Sequence, residues 1–202
     1  FDSIQYRRKP GSSRLMTIYR GGIINRDNAM GPLIENSYFE GQGDDAIALS
    51  AYTYYVNACP SDTQFTLNDA YTFKVGDTIL FADMSTGSEL GKRIIISKSG
   101  NDITTEDPIS GVIPGEDRVL TTTNVWNISR SDNRFIIRNN TFTGQRRYAI
   151  LCRAQIGLIE GNTGEKTAAG IVLSNEIGPA SYSGPVPHDI TIRNNTFTNI
   201  RR

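Results

Sequence analysis

Short apolar runs separated by polar turns recur along the chain, and they recur as copies of one another. Leu33-Ile34-Glu35-Asn36-Ser37-Tyr38-Phe39 matches Ile136-Ile137-Arg138-Asn139-Asn140-Thr141-Phe142 and again Thr191-Ile192-Arg193-Asn194-Asn195-Thr196-Phe197. A weaker copy, Leu158-Ile159-Glu160-Gly161-Asn162, lies between the last two. A glycine-containing turn and a second apolar run follow: Ala46-Ile47-Ala48-Leu49, Ala149-Ile150-Leu151-Cys152 and Gly170-Ile171-Val172-Leu173. Each unit therefore carries two short strands. The 22 positions from Ile137 to Ile159 match one coil of a right-handed parallel β-helix of the pectate-lyase kind rather than a helical repeat. Coils stack about 4.8 Å apart, so like residues lie above one another. Ile34, Ile137, Ile159 and Ile192 should form one column. Phe39, Phe142 and Phe197 should form an interior row with a gap at Gly164, and Asn36, Asn139 and Asn194 a hydrogen-bonded ladder. A β-sandwich with coincidentally similar hairpins is the competing reading.

After Leu49 the next coil arrives far later than one period, so something is inserted. Gln64-Phe65-Thr66-Leu67, Phe73 through Phe81 and Arg93-Ile94-Ile95-Ile96 alternate with turns such as Ser99-Gly100-Asn101-Asp102, the pattern of a small antiparallel β-barrel or meander. The expected organisation is all-β, with coils over 1–56 and 132–202 and a separable inserted β-domain over 57–131. A second excursion, 175–189, holds three prolines and two glycines and reads as a loop over one face.

At 202 residues the chain suits one or two domains. Lys plus Arg and Asp plus Glu both total 21, so no net field draws it to nucleic acid or an anionic membrane. The single histidine, His188, excludes a multi-histidine zinc site and reads as a turn residue between Pro187 and Asp189. Cys59 and Cys152 lack CxxC spacing, and whether they pair stays open. No apolar run reaches bilayer-spanning length. A strand-like pattern running into Arg201 and Arg202 suggests a piece of something longer, with open coil ends that invite self-association. No cofactor or metal is expected, and an extracellular or periplasmic setting is.

Candidate chemistry centres on Gly43-Asp44-Asp45-Ala46-Ile47, where two adjacent carboxylates enter an aliphatic strand. Such a pair costs Coulomb repulsion and raises one pKa, as acid/base work on a glycosidic bond requires. The repeat puts Asp44 in register with Arg147 on the following coil and with Arg20 on the preceding one, and Asp45 with Tyr148. Arg147 can then hold Asp44 ionised, leaving Asp45 with the higher pKa. A purely structural ladder, Arg20 to Asp44 to Arg147, is the bland alternative. Arg153 and Glu176 fall where strands leave for the loop side, and Tyr148 and Tyr182 offer faces on which a pyranose can stack.

Gly31 through Leu49, the inserted segment, and then Arg146-Arg147-Tyr148-Ala149-Ile150-Leu151 resemble family 110 of the glycoside hydrolases. The likeness continues through Ile159-Glu160-Gly161-Asn162, Gly170-Ile171-Val172-Leu173, Ser183-Gly184-Pro185-Val186 and Asp189-Ile190-Thr191-Ile192. It spans most of this chain and about the middle third of a full member. The resemblance implies an inverting α-galactosidase acting on terminal α-1,3-linked galactose, with Asp44 and Asp45 catalytic and Arg147 binding substrate. Tyr182 stands where such proteins often carry a carboxylate. Two rivals remain open: a calcium-dependent lyase or epimerase on uronic acids, and a non-catalytic β-helix module that binds glycan. All three take an oligosaccharide or polysaccharide as partner.

Overall fold

The computed structural model describes residues 1–116, 121–178 and 181–200, with backbone alone at 176–178 and 181–182. Among the described residues the protein is all-β, its single helical element being a 3₁₀ turn at Ile128–Arg130. Two compact units are present. One comprises Phe1–Ser50, Asp132–Ser174 and Val186–Arg202, the other Ala51–Ser131 and Asn175–Pro185. Among the described residues no helix is long and apolar enough to cross a membrane.

The first unit is built from parallel sheets whose strands follow the chain coil by coil. One sheet runs Leu33–Glu35, Phe135–Arg138, Gly157–Glu160, Ile190–Arg193. A second runs Gln5–Tyr6, Tyr38–Glu40, Thr141–Thr143, Thr163–Glu165, Thr196–Thr198. In a third, Ile47 pairs with Ile23 on one side and Ile150 on the other, and Ile150 pairs with Ile171. Ile34, Ile137, Ile159 and Ile192 are direct register partners, as the repeat predicts. The first three are fully buried.

The aromatic row also forms, and the structure shows how it accommodates Gly164. Tyr6, Phe39 and Phe142 stack with ring centroids 5.6 and 5.2 Å apart. Phe197 pairs with Gly164, yet its ring reaches to 6.3 Å from that of Phe142. It occupies the space a side chain would need: a Cβ on Gly164 would lie 2.5 Å from the Phe197 ring. The glycine admits a ring from the neighbouring coil, so the row closes over it.

The asparagine ladder is displaced by one residue from the expected row. Asn36, Asn139 and Asn194 take left-handed backbone, at φ 53°, 55° and 56°, and Gly161 serves the same turn at 64°. The following residue turns inward. Asn140 Oδ1 accepts from the Ser37 amide at 3.0 Å, Asn140 Nδ2 donates to Asn162 Oδ1 at 3.0 Å, and Asn162 Nδ2 donates to Asn195 Oδ1 at 2.9 Å. The same amides reach the carbonyls of Ile34, Ile137 and Ile159 on the adjacent coil. These contacts satisfy backbone groups that the turn would otherwise strand in the interior.

In the second unit six antiparallel strands close a barrel, in the order Asp102–Thr105, Gln64–Leu67, Tyr54–Ala58, Thr123–Asn127, Thr78–Asp83, Ser88–Ser99. Its core of Val56, Phe65, Leu67, Phe81, Ile95 and Val125 is its own. The excursion after Asn175, expected as a loop, instead contains the antiparallel strands Glu176–Gly178 and Ser181–Gly184, the latter pairing with Ala51 and Tyr52. Backbone pairing overrides the turn-rich composition there. Cys59 and Cys152 are both free thiols.

Candidate functional site

The Gly43-Asp44-Asp45 segment is clasped from both sides. The preceding chain contributes Thr17 N to Gly41 O at 3.0 Å, Gly43 N to Ile18 O at 2.9 Å and Gly22 N to Asp45 O at 3.2 Å. The following coil contributes Gln145 Oε1, which accepts from the Gln42 amide at 3.0 Å, and Tyr148 O, which accepts from Ala46 N at 2.9 Å. Position 43 demands glycine, because a Cβ there would lie 2.2 Å from the Tyr19 carbonyl oxygen. The chain bends at Gly43 and Asp44. That bend matters, since consecutive residues of a straight strand point to opposite faces.

Arg147 therefore reaches both carboxylates. Its Nη1 donates to Asp44 Oδ1 at 2.9 Å and its Nε lies 3.8 Å from Asp45 Oδ1. The guanidinium also sits over the Tyr148 ring at 4.9 Å. The two aspartates live in different surroundings. Asp44 leaves 43% of its side chain exposed, Asp45 only 7%. Burial pushes the Asp45 carboxyl up to about 6; the neighbouring Asp44 charge adds to this, while Arg147, the Tyr148 amide and Arg153 pull against it. The Tyr148 amide donates to Asp45 Oδ1 at 3.3 Å.

Asp44 and Arg147 open onto a groove of about 350 Å³ whose other lining residues are Tyr19, Arg20, Gly43 and Arg146. Asp45 is not among the lining residues. Arg153 is buried and lies outside the lining, although its charge reaches Asp45. Tyr148 meets the groove through Arg147. The backbones at Glu176 and Tyr182 belong to the hairpin of the second unit, and their side chains lie outside the described residues. Tyr19 and Arg146 line the groove although the sequence did not single them out as site residues, and Tyr19, 73% exposed, presents an open aromatic face on a segment without the repeat signature that marks the coils. Among the described residues no group of three or more His, Cys, Asp or Glu side chains is arranged to hold a metal ion.

A second carboxyl is equally perturbed. Asp132 is fully buried where the chain re-enters the coils, and its Oδ1 accepts from Asn25 Nδ2 at 2.9 Å and from the Asn28 amide at 3.1 Å. Burial pushes its pKa up to about 6, the Asn28 hydrogen bonds opposing. A pKa raised from 3.8 means that the folded state holds this proton more tightly than the unfolded chain. Stability thus falls as pH rises from about 3.8 to about 6 and stays lower above, by on the order of 3 kcal/mol. Asp132→Asn keeps the Oδ1 acceptor and removes the charge. It is expected to stabilise the coils by about 1–3 kcal/mol at pH 8 and by almost nothing below pH 4, as read from urea unfolding at both values. An equal effect at both pH values would assign the change to packing instead.

No protein-family model matches the chain, and no curated protein matches it. Among solved structures it is similar to the tailspike protein gp49 from Pseudomonas phage LKA1, at 10% identity and a TM-score of 0.32, over 89% of this chain and 41% of that one. It is also similar to the Gp54 tailspike of Acinetobacter baumannii bacteriophage AP22, solved in complex with A. baumannii capsular saccharide, at 13% identity and a TM-score of 0.26, over 98% of this chain and 40% of that one. The chain thus spans about two-fifths of the length of each tailspike.

Proposed function

We propose that the chain is a carbohydrate-acting right-handed parallel β-helix protein whose groove at Asp44 and Arg147 hydrolyses a glycosidic bond with inversion. The observation that carries this reading is a single guanidinium, Arg147, reaching two carboxylates whose environments differ. Inversion needs one carboxyl that gives a proton and one that takes one. Asp45, with its pKa lifted to about 6, delivers its proton to the leaving glycosidic oxygen as the C–O bond breaks. Asp44, facing the groove, takes a proton from the water that attacks the anomeric carbon from the opposite side. Tyr19 stacks on the sugar, and Arg147 keeps Asp44 in place. The motif likeness to family 110 glycoside hydrolases supports a terminal α-galactoside as the bond cleaved, and a glycan of this kind is met outside the cytoplasm or in the periplasm.

The depth of Asp45 favours a second reading. With 7% of the side chain exposed, Asp45 would be the inner end of a charge ladder, and the groove would bind glycan without cleaving it. Following the released sugar by NMR from an α-1,3-linked galactobiose separates the two. β-Galactose appearing first is the expected result. α-Galactose first, or an unsaturated uronate from a uronic polymer, would reject inverting hydrolysis, and binding with no release would leave the non-catalytic reading in its place.

A further inference from the structure

The candidate groove does not end at Tyr19. Immediately before it in the chain, residues 7–17 wrap a cleft of about 590 Å³ lined by Arg7, Arg8, Lys9 and Arg14 and, among the described residues, by no acidic one. The two spaces adjoin: the cleft lining ends at Thr17 and the groove lining begins at Tyr19, and this connecting chain is bonded to Gly41 and Gly43 beside Asp44. The groove adds Arg20, Arg146 and Arg147 against one carboxylate, Asp44. Seven cations and one anion thus line these two spaces, on a chain whose charges balance overall at 21 and 21.

Part of this charge is committed to structure. Arg8 is clamped by Glu40, whose Oε2 accepts from the Arg8 amide at 3.0 Å and whose Oε1 lies 3.6 Å from Nε. Glycines shape its berth, because a Cβ on Gly41 would stand 2.9 Å from the Arg8 guanidinium and one on Gly144 3.1 Å. Arg7 lies over the Tyr38 ring at 3.9 Å. Lys9, Arg14, Arg20 and Arg146, by contrast, form no ion pair with a carboxylate among the described residues. Four such charges along one surface repel one another, and a polyanion laid across them relieves that repulsion.

We propose that the glycan taken by this protein is acidic, a polysaccharide whose sugar units carry carboxylates that meet Arg14 and Lys9 on one side of the groove and Arg20 and Arg146 on the other. This rests on the glycan-acting reading above and specifies its substrate class. Arginine forks match carboxylates in a bidentate manner, and Tyr19 supplies the apolar face that a sugar ring, rather than a bare phosphate chain, uses.

Binding of an oligogalacturonate, its carboxyl-reduced neutral counterpart, a neutral α-galacto-oligosaccharide and single-stranded DNA of similar length, measured by calorimetry at low and high salt, tests it. The oligogalacturonate should bind at least about tenfold more tightly than its reduced form, with affinity falling as salt rises. Lys9→Ser with Arg14→Ser should lower that affinity about tenfold or more, and Arg20→Ser with Arg146→Ser likewise, at unchanged circular dichroism. Equal binding of the reduced glycan, or tighter binding of DNA, overturns the acidic-glycan assignment. If the neutral galactoside binds best and loses affinity in Arg147→Met, the groove reading survives while this inference fails. If no glycan binds, both fail.

Discussion

Asp45→Asn is expected to lower turnover by about 10²–10⁴-fold, and Asp44→Asn by a similar factor, with folding nearly intact in both. The two losses should differ in kind. A general acid matters most when the leaving group is poor, so the Asp45 variant should recover much of its rate on an aryl galactoside with a strongly activated leaving group. The Asp44 variant should not, because the attacking water still lacks a base. The pH dependence follows from the same assignment. Asp45 works as the protonated form, and its pKa of about 6 makes kcat/KM fall as pH rises through that value. Asp45→Asn should flatten this limb. Kinetics on two aryl galactosides from pH 4 to 8 check all of it. Unchanged turnover in both variants would remove the pair from catalysis and leave the charge ladder as their role.

Phe142→Ala is expected to destabilise the coils by about 3–5 kcal/mol. The ring is fully buried, stacked on Phe39 at 5.2 Å and approached by Phe197 at 6.3 Å. Removing it opens a void in a row that already closes over Gly164 by borrowing Phe197, so little can move in to fill the space. Trp126 provides an internal comparison. It is buried in the second unit, where its Nε1 donates to Thr53 Oγ1 at 2.8 Å, so its fluorescence reports that unit while far-ultraviolet circular dichroism follows all strands. Denaturant titration should show a coil transition shifted to lower urea and a Trp126 transition moved far less. An equal shift in both signals would show that the two cores unfold together.

The spacing of apolar residues was enough to put Ile34, Ile137, Ile159 and Ile192 in one column and the phenylalanines in one row. Periodicity encodes this directly, because stacked coils repeat the same burial at the same interval. The change of pattern after residue 57 likewise announced strands of another kind, and those strands close into a barrel. Alignment of the copies also foretold the Arg147–Asp44 contact across 103 residues. Other features depended on side-chain direction and depth, which spacing does not carry. The inner ladder runs through Asn140 and Asn162 because Asn139 spends its own conformation on a left-handed turn. Asp45 and Asp132 acquire pKa values near 6 from burial by distant parts of the chain, and adjacent Asp44, of identical chemistry, stays open to the groove. Arg153 looked like a groove residue by its place after Cys152, yet packing buries it. The basic cleft of residues 7–17 carries no repeat at all, and bonds from Arg8, Thr17 and the following Ile18 to Glu40, Gly41 and Gly43 bring it beside Asp44. Repeats fix what stacks on what, whereas charge and exposure at a site are set by everything that packs around it, and that is decided in three dimensions.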